Sequence, residues 1–208
     1  VFAQFLYSDI GVVNKYFPLL TLVIHAKNEE DNIYEVIKNC RESNYPTELL
    51  EIIVINDGST DNTLEEIRKA ENDFLNINVI NFEKNLGKRY AIRDGIKRAS
   101  GEYVVFVDSD TYIRKDAFYN IVQQFVSKDV GTVAGHTTIR NESANLLTRL
   151  QAFKYFMAFR MFKSFESYFG VVTCCPGCFS AYRKSYLLEF IDEWIDRSFM
   201  GLKLNLGE

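Results

Sequence analysis

The chain has 208 residues and a formal net charge of −4, with 47% hydrophobic and 25% charged residues. These are the proportions of an ordinary globular protein, and the length suits one domain with a substantial core. The acidic balance and the lack of a long basic run exclude a typical nucleic-acid-binding protein.

Apolar runs alternate with amphipathic segments over the first 130 residues. The run at 21–26 is rich in β-branched residues and predicts a strand, and the next segment places Ile33, Val36, Ile37 and Cys40 on one face of a helix. The same alternation continues in predicted strands at 50–57, 77–82 and 102–108 and in predicted helices at 64–70, 88–99 and 115–127. This order predicts an α/β fold, in which helices flank a mostly parallel sheet.

The alternation stops after residue 130. A further strand is predicted at 130–139 and one long helix at 144–169, whose surface is rich in aromatic residues and carries the basic residues Arg149, Lys154, Arg160 and Lys163. Such a helix suits a membrane interface, and it equally suits packing beneath the sheet. The sequence leaves both placements open.

The ends of the chain indicate a piece of a longer protein. Residues 1–208 are expected to form a single domain with a lead-in at 1–20, but the chain starts without Met and stops at "LNLGE". It contains neither a signal peptide nor an apolar stretch of about twenty residues. We expect any membrane span in other parts of the parent protein.

Each of the first four predicted strands is followed by a polar cluster. The clusters are "KNEE", "NDGS", "EKNLGKR" and "DSD", in chain order. Ligands of open α/β sheets bind outside the carboxyl ends of the strands. The four clusters therefore predict one shared binding crevice.

Asp108 and Asp110 end the fourth predicted strand and raise an electrostatic problem. Residues two apart lie on the same side of a strand, so the two carboxylates would repel each other without a positive partner. A divalent cation shared with phosphate oxygens resolves this, and carboxylate ligands suit Mg²⁺ or Mn²⁺. Lys88 and Arg89 begin a predicted helix. They are expected to contact the diphosphate of a bound nucleotide, whose oxygens would share the cation.

The four cysteines do not indicate a zinc site. A closed site needs four ligands, and the only histidines, His25 and His136, are remote from the "TCCPGC" segment. Reduced thiols in a cytosol-facing protein are the better interpretation.

Other phosphate-binding classes fit less well. No glycine follows the first strand as a dinucleotide fold requires, and "NLGKRY" lacks the first glycine and the hydroxyl of a P-loop. "DSDT" does match the nucleophile motif of haloacid-dehalogenase-type phosphatases. That motif normally opens its domain, however, whereas three predicted strand–helix units precede it here.

The motifs together resemble those of family-2 glycosyltransferases of the GT-A fold. The resemblance rests on "HAKNEE", "VINDGSTDNT", "KNLGKRYAIRDGI" and "FVDSDT" in this order. Further on, "VGTVAGHTTIRNE", "CCPGCFSAYRKSYL" and "DRSFMGLKLNLGE" resemble the hyaluronan and chitin synthase branch. The likeness covers roughly residues 20–208.

The resemblance implies a role for each matching residue. Uridine is expected to contact the loop Ala26, Lys27 and Glu29 together with Asp57. The rest of the donor is expected to contact Lys88, Arg89, Asp108, Ser109 and Asp110, with Asp110 as the metal ligand. Gly177 and Cys178 match positions at the acceptor end.

Two departures from the family pattern matter for catalysis. Lys27 stands where many members have tyrosine, which puts a stacking contact with uracil in question. In the branch, the general base is an aspartate in a Gly-acid-Asp sequence, and here the chain ends at Gly207 and Glu208. The base is therefore expected directly after Glu208, and the Gln-x-x-Arg-Trp element of processive members is absent.

The activity that the resemblance implies is an inverting, metal-dependent transfer from a UDP-sugar to a growing β-linked glycan. N-acetylglucosamine and glucuronate are the donor sugars of the branch. The catalytic domain would lie on the cytoplasmic face of a membrane. A non-processive transferase acting on a lipid or protein remains an alternative, as does the phosphatase.

Overall fold

A computed structural model describes residues 16–125, 127–139, 141–175, 177–195, 198–199 and 202–203. The predicted lead-in is described only from Tyr16 onward. The two residues before the expected position of the catalytic base, Gly207 and Glu208, lie outside the described residues.

A six-stranded sheet forms the centre of the protein, in the order β3-β2-β1-β4-β6-β5. Its strands are Leu20–Ala26 (β1), Leu50–Asp57 (β2), Ile77–Phe82 (β3), Tyr103–Asp108 (β4), Thr132–Ala134 (β5) and Phe179–Arg183 (β6). The first four strands are parallel, and β6 runs antiparallel to both of its neighbours. The predicted α/β sheet is confirmed.

Helices cover both faces of the sheet. The helices of the described chain are Ile33–Arg41 (α1), Thr63–Asp73 (α2), Lys88–Arg98 (α3), Ala117–Val122 (α4), Leu146–Phe156 (α5), Lys163–Tyr168 (α6) and Lys184–Ile195 (α7), and the core is covered by all of these except α5 and α6. A short 3₁₀ turn at Thr47–Leu49 precedes β2, a π-helical segment at Met157–Phe162 joins α5 to α6, and Ser198–Phe199 (β7) pairs with Leu202–Lys203 (β8).

The core has two layers because alternate residues of each strand face opposite sides of the sheet. On one side, Leu22 and Ile24 of β1 pack with the buried faces of α1, α2 and α4. On the other side, Val23 of β1 packs with Ala91 and Ile96 of α3 and with Ile191 of α7. Burial on both faces explains why consecutive residues are apolar in the middle of β1, β2 and β4.

Two predicted elements are shorter than expected. The helix predicted at 115–127 spans only Ala117–Val122, because the N–H groups of Gln124 and Phe125 donate to carbonyl oxygens three residues back, at 3.3 and 3.2 Å, in a turn tighter than an α-helix. The strand predicted at 130–139 spans only Thr132–Ala134. Gly135 still donates to the Phe179 carbonyl oxygen, but the Phe179 ring fills the space beside Gly135 as the chain leaves the sheet.

The long predicted helix is confirmed as helical from Leu146 to Tyr168, with the π-helical segment in its middle. Asn145 caps it by accepting from the Thr148 N–H at 2.9 Å. Thr148 is the only buried residue along it, so the interpretation that it packs beneath the sheet is wrong. Within the described part of the chain, no helix has the length and apolarity of a membrane span.

A close approach of two loops makes Gly58 necessary. Gly58 follows β2 directly and has a φ of 62°, in the left-handed region that side chains disfavour. A Cβ atom built on it would lie 2.4 Å from the Asn85 amide nitrogen and 2.4 Å from the Lys84 carbonyl carbon. The loop after β3 therefore crosses over Gly58 at backbone contact distance.

Replacing Gly58 with Ala should destabilise the fold beyond the cost of the left-handed conformation. Gly170→Ala is the matched control, because Gly170 has a φ of 71° and no atom within 4 Å of an added Cβ. We expect a loss of about 1 kcal/mol for Gly170→Ala and about 3 kcal/mol for Gly58→Ala in urea unfolding. Equal losses of unfolding free energy in the two variants would mean that the loop after β3 moves away from the added methyl group without a measurable loss of stability.

Candidate nucleotide-sugar site

The loops after β1 and β2 bind each other through backbone and side-chain hydrogen bonds. Asn28, at a φ of 55°, accepts from the Thr60 N–H at 2.9 Å, and the Glu29 N–H donates to Thr63 Oγ1 at 2.8 Å. Glu30 accepts from the Asn62 N–H at 2.9 Å. The polar clusters "KNEE" and "NDGST" thus form one rigid wall at the carboxyl end of the sheet.

Asp57, the last residue of β2, fixes the loop that follows β3. Its side chain is 1% exposed, and its carboxylate accepts from the Leu86 N–H at 2.7 Å and from the Gly87 N–H at 3.0 Å. In the turn before α2, Asp61 and not Asp57 accepts the Thr63 N–H, at 3.1 Å. Asp57 therefore holds the chain immediately before Lys88.

His25 completes the environment of Asp57. Its Nε2 lies 3.2 Å from an Asp57 carboxylate oxygen, and the ring is mostly buried near the end of β1. Burial lowers the pKa of His25 more than the hydrogen bond to Asp57 raises it, so the ring is neutral at pH 7. A neutral ring beside an ionised carboxylate donates through Nε2–H, which gives Asp57 a third donor.

Lys88 and Asp108 form an ion pair at the centre of the crevice. The Lys88 ammonium lies 2.7 Å from an Asp108 carboxylate oxygen, and both side chains are partly exposed. Lys88 begins α3 and Asp108 ends β4, so two of the predicted clusters meet here. Asp108 thus has Lys88 as a positive partner, at the place where the sequence predicted a divalent cation.

Asp110 lies beyond the end of β4 and is exposed, whereas Ser109 is buried. Among the described residues, no protein hydrogen bond or ion pair is made by the Asp110 carboxylate, and no three His, Cys, Asp or Glu side chains group together as a complete metal site. An oxygen-rich site with one free carboxylate suits Mg²⁺ or Mn²⁺ only if a ligand such as a phosphate supplies further oxygens.

Gly177 borders the ion pair from the loop before β6. A Cβ atom built on it would lie 3.8 Å from both Asp108 Oδ1 and Lys88 Nζ. Its neighbour Cys178 contacts Thr137 through Sγ and Oγ1 at 3.1 Å. The predicted acceptor segment therefore does reach the edge of the crevice.

A cavity of about 540 Å³ extends from this ion pair along β4 and β6, beneath α3 and α7. His25, Lys88, Asp108 and Gly177 line its polar mouth, and residues such as Phe106 and Trp194 line its apolar interior.

The other predicted site residues occupy the same end of the sheet. Ala26 is fully buried at the end of β1, Lys27 is exposed beside it, and Glu29 is partly buried and accepts from Asn32 Nδ2 at 3.2 Å. Arg89 follows Lys88 on α3 and stacks near Tyr90, 5.6 Å from guanidinium carbon to ring centre. Sequence reasoning missed His25, whose only signal is a polar residue inside an apolar strand.

The family model "Glycosyl transferase family 2" matches residues 21–190. The chain belongs to this family. The match covers all six sheet strands except the first residue of β1, so the whole crevice lies within it. The family predicted from the motif order is confirmed.

Solved structures share the fold of this family-2 domain at low sequence identity. A mannosyltransferase from Pyrobaculum calidifontis in complex with GDP-Man and Mn²⁺ superimposes with a TM-score of 0.70 at 23% identity, over 84% of this chain and 47% of that one. Staphylococcus aureus TarS in complex with UDP-GlcNAc gives a TM-score of 0.61 at 22% identity, over 82% and 46%. The GT-A fold is confirmed.

Curated relatives are more similar in sequence. A poly-beta-1,6-N-acetyl-D-glucosamine synthase of Staphylococcus aureus is 35% identical over 82% of this chain and 40% of its own length. The hyaluronan synthase of Streptococcus pyogenes is 31% identical over 89% and 45%. The family-2 domain thus spans less than half the length of these relatives.

The Asp57→Ala variant should lose stability as well as nucleotide affinity. Because the carboxylate is buried and bonded to the Leu86 and Gly87 N–H groups, we expect Tm to fall by about 5 °C. UDP affinity should fall too, since the loop before Lys88 is released. Asp192→Ala, whose side chain is 78% exposed, is the control for calorimetry and thermal unfolding. An unchanged Tm with weaker UDP binding would contradict the structural role of Asp57 and would mean that its carboxylate only contacts the nucleotide.

Stability should fall in mild acid because of His25. Its pKa is lower in the folded chain than the ordinary 6.5, so below about pH 6.5 the unfolded state binds more protons. Burial lowers the pKa of His136 in the same sense. His25→Gln keeps an N–H donor for Asp57 and should reduce, not abolish, the loss of unfolding free energy between pH 7 and about pH 5.5. An unchanged pH slope would contradict this.

Proposed function

We propose that this domain transfers a sugar from a UDP-sugar to a growing β-linked polysaccharide with inversion at the anomeric carbon. The observation that carries the proposal is the Lys88–Asp108 ion pair beside the free Asp110 carboxylate, where the carboxyl ends of the parallel strands meet. The polysaccharide synthases among its relatives support N-acetylglucosaminyl or glucuronyl transfer.

The donor fits the crevice in a definite orientation. The wall formed by the loops after β1 and β2 would receive uridine, with Lys27 and Glu29 at its surface and Asp57 behind it. The diphosphate would then lie over the first turn of α3, where Lys88, Arg89 and the helix N-terminus favour negative charge. The sugar would project toward Gly177 and the mouth of the cavity.

Asp110 would hold Mg²⁺ or Mn²⁺ together with diphosphate oxygens, with Asp108 next to it. When bound, such an ion supplies positive charge against the leaving diphosphate. Ser109, between the two aspartates in sequence, is buried, and the Thr111 N–H closes the turn by donating to the Asp108 carbonyl oxygen at 3.0 Å.

The residues of the chain would contribute mainly electrostatics and orientation. As the bond to the anomeric carbon breaks, negative charge grows on UDP, and the Lys88 ammonium is placed to stabilise it. The acceptor hydroxyl attacks from the face opposite UDP, so an α-linked donor gives a β-linked product. Its proton goes to a general base, for which the described residues offer no assignment.

We also propose that the domain works at the cytoplasmic face of a membrane, on a glycan acceptor. The relatives that support this are polysaccharide synthases whose length extends well beyond the matched region. Transfer to a lipid or protein acceptor is the second candidate, because the apolar cavity beside Gly177 could accept a non-carbohydrate group.

Calorimetry with Asp110→Asn tests the metal-dependent part of the proposal. Removing this free carboxylate should weaken UDP binding in Mn²⁺ by about tenfold or more, and in EDTA by much less. Asp116→Asn serves as the surface control. Equal losses in both buffers would remove the metal role of Asp110.

The same titrations test the donor class. UDP and UDP-N-acetylglucosamine should bind more tightly than GDP, and the protein should not hydrolyse a generic phosphate ester. Preference for GDP would contradict a UDP-sugar donor. Hydrolysis that Asp108→Asn abolishes would favour the phosphatase.

A further inference from the structure

The cavity that begins at the Lys88–Asp108 pair has an apolar interior. Its floor is formed by β4 and β6, and α3 and α7 cover it. The apolar side chains along it include Ile92 and Ile96 of α3, Phe106 of β4, and Leu187 and Trp194 of α7. Its volume of about 540 Å³ is that of a small-ligand pocket.

A buried hydroxyl on the floor of the cavity lacks a hydrogen bond. Ser180 has no exposed surface and lines the cavity, and its Oγ has no hydrogen-bond partner in the described part of the chain. Burial raises the pKa of Tyr182 to about 12 and the Ser180 hydroxyl opposes that shift, so the two hydroxyls are near each other, but no hydrogen bond of normal geometry joins them. A ligand that supplies the missing partner would gain affinity, because a buried polar group without one costs free energy.

Ser180 lies below the ion pair along the sheet. It pairs across the sheet with Phe106, which stands two residues before Asp108 on β4. At about 3.3 Å per residue, Ser180 is therefore about 7 Å deeper than Asp108. Phe106 and Asp108 face the same side of the sheet, because residues two apart on a strand do so. A group that enters beside Asp108 thus passes along Phe106 to reach the Ser180 hydroxyl.

Among the described residues, the interior of the cavity offers no unpaired cation to a carboxylate. Two cationic residues line the cavity, Lys88 and Arg183. Lys88 is paired with Asp108 at the mouth. The Arg183 guanidinium lies 5.1 Å from the Tyr103 ring and 5.7 Å from the Phe125 ring, in the core on the other face of the sheet. A carboxylate in this interior would lose its hydration without a compensating charge.

We propose that this cavity receives the N-acyl group of a UDP-linked amino sugar, and that it has room for acyl groups larger than acetyl. An acyl group suits both features of the interior, because its hydrocarbon part is apolar and its carbonyl oxygen accepts from the Ser180 hydroxyl. A glucuronate donor carries a carboxylate instead, which the interior does not compensate. The inference rests on the proposed function, since that function places the donor sugar at the mouth of the cavity.

Calorimetry in Mn²⁺ tests the inference with UDP, UDP-glucuronate, UDP-N-acetylglucosamine and UDP-N-butanoylglucosamine. The butanoyl donor should bind about fivefold or more tightly than the acetyl donor, because two further CH₂ groups leave water. UDP-glucuronate should bind more weakly than either. Trp194 is the only tryptophan of the chain and lines the cavity, so its fluorescence should change with the butanoyl donor and not with UDP.

Variants of α7 and β6 locate the acyl group. Leu187→Phe narrows the cavity and should weaken the butanoyl donor by about fivefold or more, with little effect on UDP. Leu188→Phe is the matched control, because Leu188 is the next residue of α7, is 43% exposed and does not line the cavity. Ser180→Ala should weaken both N-acyl donors by about threefold to tenfold. Its Tm should stay unchanged, since the hydroxyl has no partner to lose.

The outcomes separate this inference from the proposed function. Equal or weaker binding of the butanoyl donor relative to the acetyl donor would overturn the inference, as would tighter binding of UDP-glucuronate. Equal effects of Leu187→Phe and Leu188→Phe would also overturn it. In each of these cases, UDP binding would leave the proposed transferase in place, whereas absence of UDP binding would overturn both.

Discussion

The buried carboxylate of Asp57 is the constraint on which the crevice depends. It joins three strand ends, because it stands on β2, accepts from His25 at the end of β1, and holds the Leu86 and Gly87 N–H groups after β3. A charged acceptor without solvent needs donors on every side, and the loop supplies them only by crossing Gly58 at backbone contact. The position of this loop determines where α3 begins, and therefore where Lys88 meets Asp108.

The sheet and its polar end follow from local patterns. The runs 52–55 and 103–107 are apolar because both faces of those strands are covered, and polar residues begin where the strands end. The order of four such ends predicted one crevice, and Lys88 and Asp108 do meet there. Contacts within a strand–loop–helix unit are visible in sequence, since the residues that make them are close together.

What the sequence did not predict depends on distant partners. The strand Phe179–Arg183 owes its position to pairing with both β4 and β5, and the buried Gln123 amide donates to the Tyr16 carbonyl oxygen, 107 residues away. His25 was not predicted as a site residue because its partner, Asp57, is 32 residues away. The placement of the aromatic helix remained open for the same reason. The sequence of a helix shows which residues share a face, but not which other part of the protein covers that face.

The Lys88–Asp108 pair has a consequence for the order in which charges enter the crevice. In the free protein each group neutralises the other. An anion that draws Lys88 away leaves Asp108 with uncompensated negative charge, which favours the arrival of a cation, and the converse holds with equal strength because such coupling is reciprocal. Ligands of opposite sign would therefore bind cooperatively, while either one alone must first break the pair.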